Sequence, residues 1–178
     1  MSETKTPFGQ TDVVYFRDED AAARLVDDAV GGLWEVVNQL TRFRRTKRGN
    51  FRVTIFGSAR LRPGSPIYEA VKQLAAELTA MGCDIVTGGG PGLMQAANEG
   101  AVSVDPKALE RSVGIRVDLP FEQGINPFVG HAYEHRTFFS RLHHFMIVSD
   151  AFVVVPGGIG TLLEMSLVWQ LLQVRKLY

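Results

Sequence analysis

A glycine-rich tract near the end of the sequence carries the residue types that can hold a phosphate group. The tract reads PGGIGTLLE and follows the apolar segment AFVVV, so a buried strand should pass here into a helix. Glycines let the backbone approach a ligand without a Cβ clash, and the free N–H groups of a helix's first turn favour an anion. We therefore predict phosphate contacts from one run of residues: Gly157, Gly158, Ile159, Gly160 and Thr161.

Two familiar phosphate-binding motifs do not fit this tract. No lysine precedes Thr161, as a P-loop requires, and Gly158-Ile159-Gly160 lacks the third glycine of the dinucleotide-binding fingerprint. A tight strand–helix turn capped by Thr161 is the alternative interpretation, because spacing alone is compatible with both.

Two further strand ends carry glycines that fit the same role. Gly88, Gly89 and Gly90 lie in TGGGPG after the segment CDIVT, and Gly57 and Ser58 follow the segment FRVTIF. Ligands of open parallel sheets bind at the carboxyl ends of the strands. We therefore expect these turns to lie along one edge of the sheet and to form one cradle.

Two charged residues accompany the predicted phosphate site. Glu164 stands one turn into the helix that follows the tract, and Arg141 lies on the preceding predicted helix, where it could bind a phosphate through two N–H groups. A solvent-facing first-turn glutamate and an ordinary surface ion pair are the respective alternatives.

The elements that position these residues alternate between strands and helices. This alternation predicts an α/β fold: a Rossmann-like parallel sheet with helices on both faces, preceded by an N-terminal helix. The predicted strands are FRVTIFG, the strand and glycine turn CDIVTGGG, SVGIRVDLP and AFVVVPGG. The predicted helices are Ile67–Met81, one opening within Gly92–Gly100, Phe138–Val148 and Thr161–Val174.

Three regions are predicted along the chain. Residues 1–12 form a flexible tail, and residues 13–50 form a helical extension in which apolar residues recur at three- and four-residue spacing. Residues 51–178 form a Rossmann-like nucleotide-binding domain. The extension ends in a basic cluster that fits a solvated helix C-terminus better than a nucleic-acid contact: Arg42, Arg44, Arg45, Lys47 and Arg48.

Composition restricts the possible partners and compartments. The 178 residues carry a formal net charge of zero, which provides no general attraction to nucleic acids or membranes. The N-terminal sequence lacks the apolar core of a signal peptide, and no apolar run reaches the ~20 residues that span a bilayer. The single cysteine, Cys83, lies in an apolar run and predicts a buried, inert thiol. We expect a cytoplasmic protein without nucleic-acid or membrane partners.

Four histidines raise the question of a metal site: His131, His135, His143 and His144. The first two would share a face only in a helix, and the adjacent pair would point about 100° apart on one. No cysteine or carboxylate completes a common ligand spacing. We predict neither a metal nor a cofactor.

Taken together, several segments resemble the LONELY GUY family of cytokinin riboside 5′-monophosphate phosphoribohydrolases, many of whose relatives are labelled lysine decarboxylases. The segments are GSAR, TGGGPGLMQAANEGA, LPFEQGINPF and SRLHHFMIVSDAFVVVPGGIGTLLE, and the resemblance spans about residues 51–175. The N-terminal helix and the FEQ-NPF segment resemble the longer bacterial branch.

The resemblance implies hydrolysis of a nucleoside 5′-monophosphate, AMP-like, to free base and ribose 5-phosphate. It places the 5′-phosphate at Gly157–Thr161 and makes Arg141 and Glu164 the catalytic residues, with Glu122 as a further ligand contact. A carboxylate beside the ribose would stabilise an oxocarbenium-like sugar or orient water. Family members dimerise with the site close to the subunit interface, so the resemblance implies a homodimer or higher homo-oligomer here.

Two departures from the family pattern keep other functions open. The family's Arg-Lys pair reads Arg141-Leu142 here, which favours a nucleotide-binding or carrier protein without turnover as the alternative. The sequence also stops at Tyr178, where the family continues with another strand and helix, and we expect either a fragment or an edge strand that a partner covers.

Overall fold

The computed structural model describes residues 49–104, 106–117 and 124–174, together with seven residues between positions 20 and 30. The chain divides into two units, Met1–Asn38 and Gln39–Tyr178. All seven described residues of the first unit are helical. The predicted tail, most of the helical extension and its basic cluster lie outside the described residues.

The second unit is built on a parallel sheet whose described part has five strands. Their order across the sheet is β4-β3-β2-β1-β5, and every neighbouring pair is parallel. This arrangement confirms the predicted Rossmann-like α/β fold. The strands are β1 (Arg52–Phe56), β2 (Asp84–Thr87), β3 (Ser112–Val117), β4 (His131–His135) and β5 (Ala151–Val154).

Helices connect the strands. Ser65 caps the first helix by accepting a hydrogen bond from the Tyr68 N–H (3.3 Å), and Thr137 caps the third by accepting one from the Ser140 N–H (3.1 Å). Within the described part, no helix has the length and apolar character needed to cross a membrane. The helices are α1 (Pro66–Ala80), α2 (Leu93–Val104), α3 (Phe138–Val148) and α4 (Ile159–Gln173), with a short 3-10 helix at Pro106–Arg111.

Alternating side chains of β1 show that helices cover both faces of the sheet. Val53 and Ile55 belong to a buried cluster with residues of α1 and α2. On the other face, Phe56 meets Phe145 of α3 edge-on, with ring centroids 5.0 Å apart. Strands covered on both sides are expected to be apolar throughout, as the segment VTIF nearly is. Cys83 is buried and free, as predicted.

The strand order brings the glycine-rich turns to one edge of the sheet. Because β2, β1 and β5 are neighbours and parallel, their carboxyl ends lie side by side. Two backbone hydrogen bonds join the turns: the Ser58 N–H donates to the Pro156 carbonyl (3.1 Å), and the Leu93 N–H donates to the Ser58 carbonyl (2.8 Å). The glycine turns therefore form one connected edge, as the sequence predicted.

The strand β4 was not predicted, and the interpretation of its histidines was wrong. We expected His131 and His135 to share a face only in a helix, but the segment is a strand, where residues four apart also lie on one face. HAYEH lacks β-branched residues and is mostly exposed, so it carries little of the signal that marks a buried strand.

Gly100 lets α1 and α2 approach each other closely. A Cβ atom at this position would lie 2.0 Å from the Lys72 carbonyl oxygen and 3.1 Å from the Ala75 Cβ. The backbone of α1 cannot give way as a flexible side chain would, so the contact requires glycine.

We predict that Gly100→Ala lowers the free energy of unfolding by about 1–3 kcal/mol, because the two helices must separate to admit the methyl group. Urea unfolding measures the change. Gly49→Ala is the control, since nothing lies within 4 Å of a Cβ there. A more stable Gly100→Ala protein, the usual result of removing a glycine inside a helix, would contradict the prediction.

Candidate functional site

Arg141 and Glu164 form an ion pair beneath the carboxyl edge of the sheet. The Arg141 Nη1 lies 3.2 Å from the Glu164 Oε1, and each side chain is only 10% exposed. The two alternatives from the sequence, an exposed glutamate and a surface ion pair, are therefore wrong. A buried pair of this kind is costly to desolvate, and removing one partner typically destabilises a protein by about 3–5 kcal/mol.

Three neighbours fix the position of the Arg141 guanidinium. Its Nε donates to the Ile115 carbonyl of β3 (2.8 Å), and its Cζ lies 5.2 Å from the centre of the Phe145 ring. A Cβ at Gly88 would come within 2.4 Å of Nη2, so the turn after β2 must carry a glycine there. The structure thus brings together Gly88, Arg141 and Glu164, three of the residues that the sequence predicted for the site.

Glu164 reaches this position because α4 has one inward-facing stripe. The stripe consists of Thr161, Glu164, Val168 and Leu171. Spacings of three and four residues place them on one side of the helix, with the polar pair nearest the glycine tract. Burial raises the pKa of Glu164 to about 7, and the nearby Arg141 guanidinium opposes this shift. The carboxyl group is therefore able to exchange its proton near neutral pH.

The tract PGGIGTLLE leads into α4, and its glycines make different contacts. A Cβ at Gly157 would lie 2.1 Å from the Thr161 Oγ1, so that glycine makes room for the threonine and not for a ligand. Gly158 and Gly160 have nothing within 4 Å of a Cβ, and both are exposed. Gly158 is the N-cap residue and offers no side-chain hydrogen bond. The first-turn N–H groups, Ile159 included, have no carbonyl partner in their own helix.

Gly57 and Ser58 serve mainly to join the edge together. A Cβ at Gly57 would lie 2.5 Å from the Val155 side chain and 3.0 Å from that of Leu93. The Ser58 backbone bonds to both neighbouring turns, and its Oγ accepts from the Arg60 N–H at 3.1 Å. The Ser58 hydroxyl hydrogen is one group that this turn can offer to a ligand.

A buried polar network fixes the turn that contains Gly89 and Gly90. The Asn126 Nδ2 lies 3.1 Å from the Gly89 carbonyl oxygen and 2.9 Å from that of Gly90. It also lies 3.1 Å from the Asn98 Oδ1, which accepts a further bond from the Thr87 hydroxyl at 2.7 Å. Gly89 has a φ of 73°, a conformation that favours glycine.

Sequence reasoning missed Asn98 and Asn126. Both occur inside segments that carry the family resemblance, ANEGA and GINPF. The site residues predicted from the full segments were Gly88–Gly90 and Glu122. The signal that could have identified the two asparagines is a polar residue placed within an otherwise apolar or glycine-rich motif, since a buried amide must have partners. Glu122 itself lies outside the described residues.

Two of the four histidines, His135 and His144, form a pair. The His135 Nε2 lies 2.8 Å from the His144 Nδ1, which links β4 to α3. Burial lowers the pKa of His135, and the Arg141 charge lowers it further. Across the described ranges, no group of three or more His, Cys, Asp or Glu residues is arranged to hold a metal ion.

The fold and site define a Rossmann-like α/β protein with glycine-rich turns and a buried arginine–glutamate pair at the carboxyl edge of its sheet. The model of the family described as "Possible lysine decarboxylase" matches residues 94–177, a segment that includes Arg141 and Glu164. This match, over 84 of the 178 residues, confirms the resemblance that the motifs indicated. No curated protein matches the sequence.

Three solved structures have a similar fold. The structural genomics protein TM1055 is 23% identical with a TM-score of 0.52, over 65% of this chain and 66% of that one, just under two thirds. A molybdenum cofactor binding protein from Rippkaea orientalis is 21% identical with a TM-score of 0.55, over 70% and 73% of the chains. The molybdenum cofactor carrier protein from Chlamydomonas reinhardtii is 20% identical with a TM-score of 0.53, over 68% and 71%. At these identities the likeness establishes the fold alone.

The raised pKa of Glu164 predicts a pH-dependent stability. The pKa is about 7 in the folded protein against an ordinary 4.5, so the folded state holds the proton more tightly. Its stabilising effect is complete below about pH 4.5 and is lost as the pH rises through 7. Relative to Glu164→Gln, the native protein should lose up to about 3 kcal/mol of unfolding free energy over this range.

Urea unfolding at a series of pH values checks this prediction. Glu77→Gln is the matched control, because Glu77 is exposed on α1 and its carboxylate accepts a bond from the Gln73 side chain of the same helix. Parallel pH profiles for the native protein and Glu164→Gln would show that the carboxyl group has an ordinary pKa.

Proposed function

We propose that this protein hydrolyses the N-glycosidic bond of a nucleoside 5′-monophosphate, such as AMP or a cytokinin riboside monophosphate. Water adds a hydroxyl to the anomeric carbon and a proton to the leaving base, so the products are free base and ribose 5-phosphate. The observation that carries the proposal is the buried Arg141–Glu164 pair at the sheet edge where α4 begins.

In this proposal the 5′-phosphate binds at the N-terminus of α4. Gly158 provides no side-chain cap, so the first-turn N–H groups are left for phosphate oxygens, with the helix dipole favouring the negative charge. The Thr161 hydroxyl stands beside Gly157 and can donate another hydrogen bond. Binding energy at the phosphate, away from the reacting carbon, orients the sugar.

Glu164 then acts on the ribose. Cleavage passes through an oxocarbenium-like sugar, whose positive charge a nearby carboxylate stabilises while it orients the attacking water. Arg141 holds that carboxylate through Nη1, and its Nη2, which lies against Gly88, is directed to the ribose hydroxyls or the departing base. Glu122 is a further ligand contact in the family pattern and completes the proposed site.

The family description names lysine decarboxylation, which the described residues do not support. A pyridoxal enzyme needs a lysine near its phosphate site to form the Schiff base. Lys72 lies on α1 with its Nζ 2.6 Å from Glu99, and Lys107 lies in the 3-10 helix before β3. Neither of these described lysines belongs to a glycine turn of the carboxyl edge.

A nucleotide-binding or carrier protein without turnover is the second candidate. Leu142 stands where the family pattern has a lysine, and it is only 5% exposed, so it contributes packing and no charge beside Arg141. The departing base then has one fewer cationic side chain nearby to assist its protonation than in the family pattern. Two of the structurally similar proteins are described as a binding protein and a carrier of the molybdenum cofactor.

We also expect a cytoplasmic homodimer or higher homo-oligomer. Support comes from the outer side of α4, where large apolar side chains are about half exposed or more: Leu162, Leu163, Trp169 and Leu172. Light scattering on the purified protein measures its mass in solution, and a monomer at all concentrations would contradict the expectation.

The assay for the proposed activity follows free base released from AMP and isopentenyl-AMP by chromatography. We predict release by the native protein and a fall in kcat of about 10²–10⁴-fold for Glu164→Gln, since the amide cannot carry the negative charge. The ratio kcat/KM should rise with pH through about 7, as the Glu164 carboxyl loses its proton. Glu77→Gln should behave as the native protein.

Calorimetry with AMP separates the two candidates. An enzyme shows AMP binding and base release, with Glu164→Gln removing the second. A carrier shows tight AMP binding by the native protein and by Glu164→Gln, with no base released from any nucleotide tested, and that outcome would rule out the proposed hydrolysis.

A further inference from the structure

The turn from Gly88 to Gly90 offers backbone groups to a ligand only if its peptide planes are held in one orientation. We propose that Asn126 is the positioning residue that holds them, by directing the Gly90 N–H toward the sugar phosphate of the bound nucleotide. This inference rests on the proposed nucleotide ligand, but it does not require that the nucleotide be hydrolysed.

The side chain of Asn126 is bound on every side. Its Nδ2 donates to the Gly89 and Gly90 carbonyl oxygens at 3.1 and 2.9 Å, and its Oδ1 accepts from the Phe128 N–H at 3.1 Å. The residue is 5% exposed. An amide with this many partners in a buried position has little freedom to rotate, so it fixes whatever it bonds to.

The backbone of Asn126 adds a second constraint on the same turn. Its N–H also donates to the Gly89 carbonyl, at 2.9 Å. On the other side of the turn, the Thr87 Oγ1 accepts from the Gly89 N–H at 2.9 Å. Both polar groups of Gly89 are therefore committed to the protein interior, and neither is left for a ligand.

Because the peptide group is planar, these contacts also determine the direction in which the Gly90 N–H points. In a trans peptide the C=O and the following N–H point in opposite directions, and the described chain has no cis peptide. Because the Gly89 carbonyl points at the buried Asn126, the Gly90 N–H points away from it. The next residue is Pro91, which has no N–H, so Gly90 supplies the outward donor of this turn.

The turn that carries the outward donor also reaches the charged pair. Gly88, two residues earlier, packs against the Arg141 Nη2, and Arg141 bonds to Glu164. A fixed N–H in a turn that also contacts a guanidinium suits an oxygen atom that carries negative charge or a lone pair, as in a sugar phosphate. Without Asn126, the Gly89–Gly90 peptide could rotate and present its carbonyl oxygen to the ligand instead.

The test uses Asn126→Asp, which keeps the shape of the side chain and its acceptor for Phe128 but replaces the donor to the glycine carbonyls with an oxygen. The matched control is Asn50→Asp. Asn50 also donates through Nδ2 to an oxygen, that of Asp84 at 3.0 Å, but it precedes β1 at the opposite end of the strands. Both variants lose the hydrogen bonds that the asparagine Nδ2 donates, but only Asn126 bonds to the glycine turn.

Calorimetry with ribose 5-phosphate and with AMP measures binding independently of turnover. We expect Asn126→Asp to weaken both ligands about 10-fold, which corresponds to one lost hydrogen bond, while Asn50→Asp binds both as the native protein does. The amide proton of Gly90 provides a spectroscopic check, since ribose 5-phosphate should shift its NMR signal in the native protein and not in Asn126→Asp.

The outcomes separate this inference from the proposed activity. Native binding without base release would refute hydrolysis and leave the role of Asn126 supported if the variant binds more weakly. Equal affinity of Asn126→Asp and the native protein would overturn the inference. So would a Gly90 amide NMR signal that does not shift when ribose 5-phosphate is added to the native protein. Equal losses in both Asn variants would show a merely structural role, and failure of the native protein to bind either ligand would overturn both proposals.

Discussion

The buried contact between Arg141 and Glu164 sets the requirements that the rest of the second unit meets. Two opposite charges removed from water repay their desolvation only with good geometry and further hydrogen bonds. Arg141 obtains one from the Ile115 carbonyl of β3 and rests on the Phe145 ring. The pair therefore needs Arg141 of α3 within reach of Glu164 of α4, the Ile115 carbonyl of β3 as an acceptor and a glycine at position 88 to leave space. A change in any of these would leave a charge without its partner.

The carboxyl edge of the sheet carries several glycine-rich turns, and their glycines divide into two kinds. Some make room for the protein's own packing: Gly57 for Val155 and Leu93, Gly88 for Arg141, and Gly157 for Thr161. Gly158 and Gly160 face open space and leave the start of α4 accessible. Glycines in one glycine-rich stretch thus differ in role: some make room for packing and others leave the backbone open to solvent, and the contacts of each position decide which.

Much of the fold could be predicted because local patterns agreed with the global arrangement. The run Phe138–Val148 was predicted as a helix with the bounds that the structure has, and the buried strands were marked by apolar, β-branched residues. The exception is β4, whose exposed HAYEH sequence has neither feature. Its place in the sheet depends on backbone pairing with β3, and pairing between distant segments leaves little trace in local composition.

The sequence by itself determined which residues have the chemistry for a phosphate site, and that parallel strands would gather the glycine turns at one edge. Only the tertiary structure decided that Glu164 faces inward to Arg141 and that Asn126 reaches the carbonyls of Gly89 and Gly90. The physical reason is distance along the chain. Helical and strand periodicity act over a few residues, whereas these contacts join residues 23 to 37 positions apart, whose meeting depends on how whole elements pack.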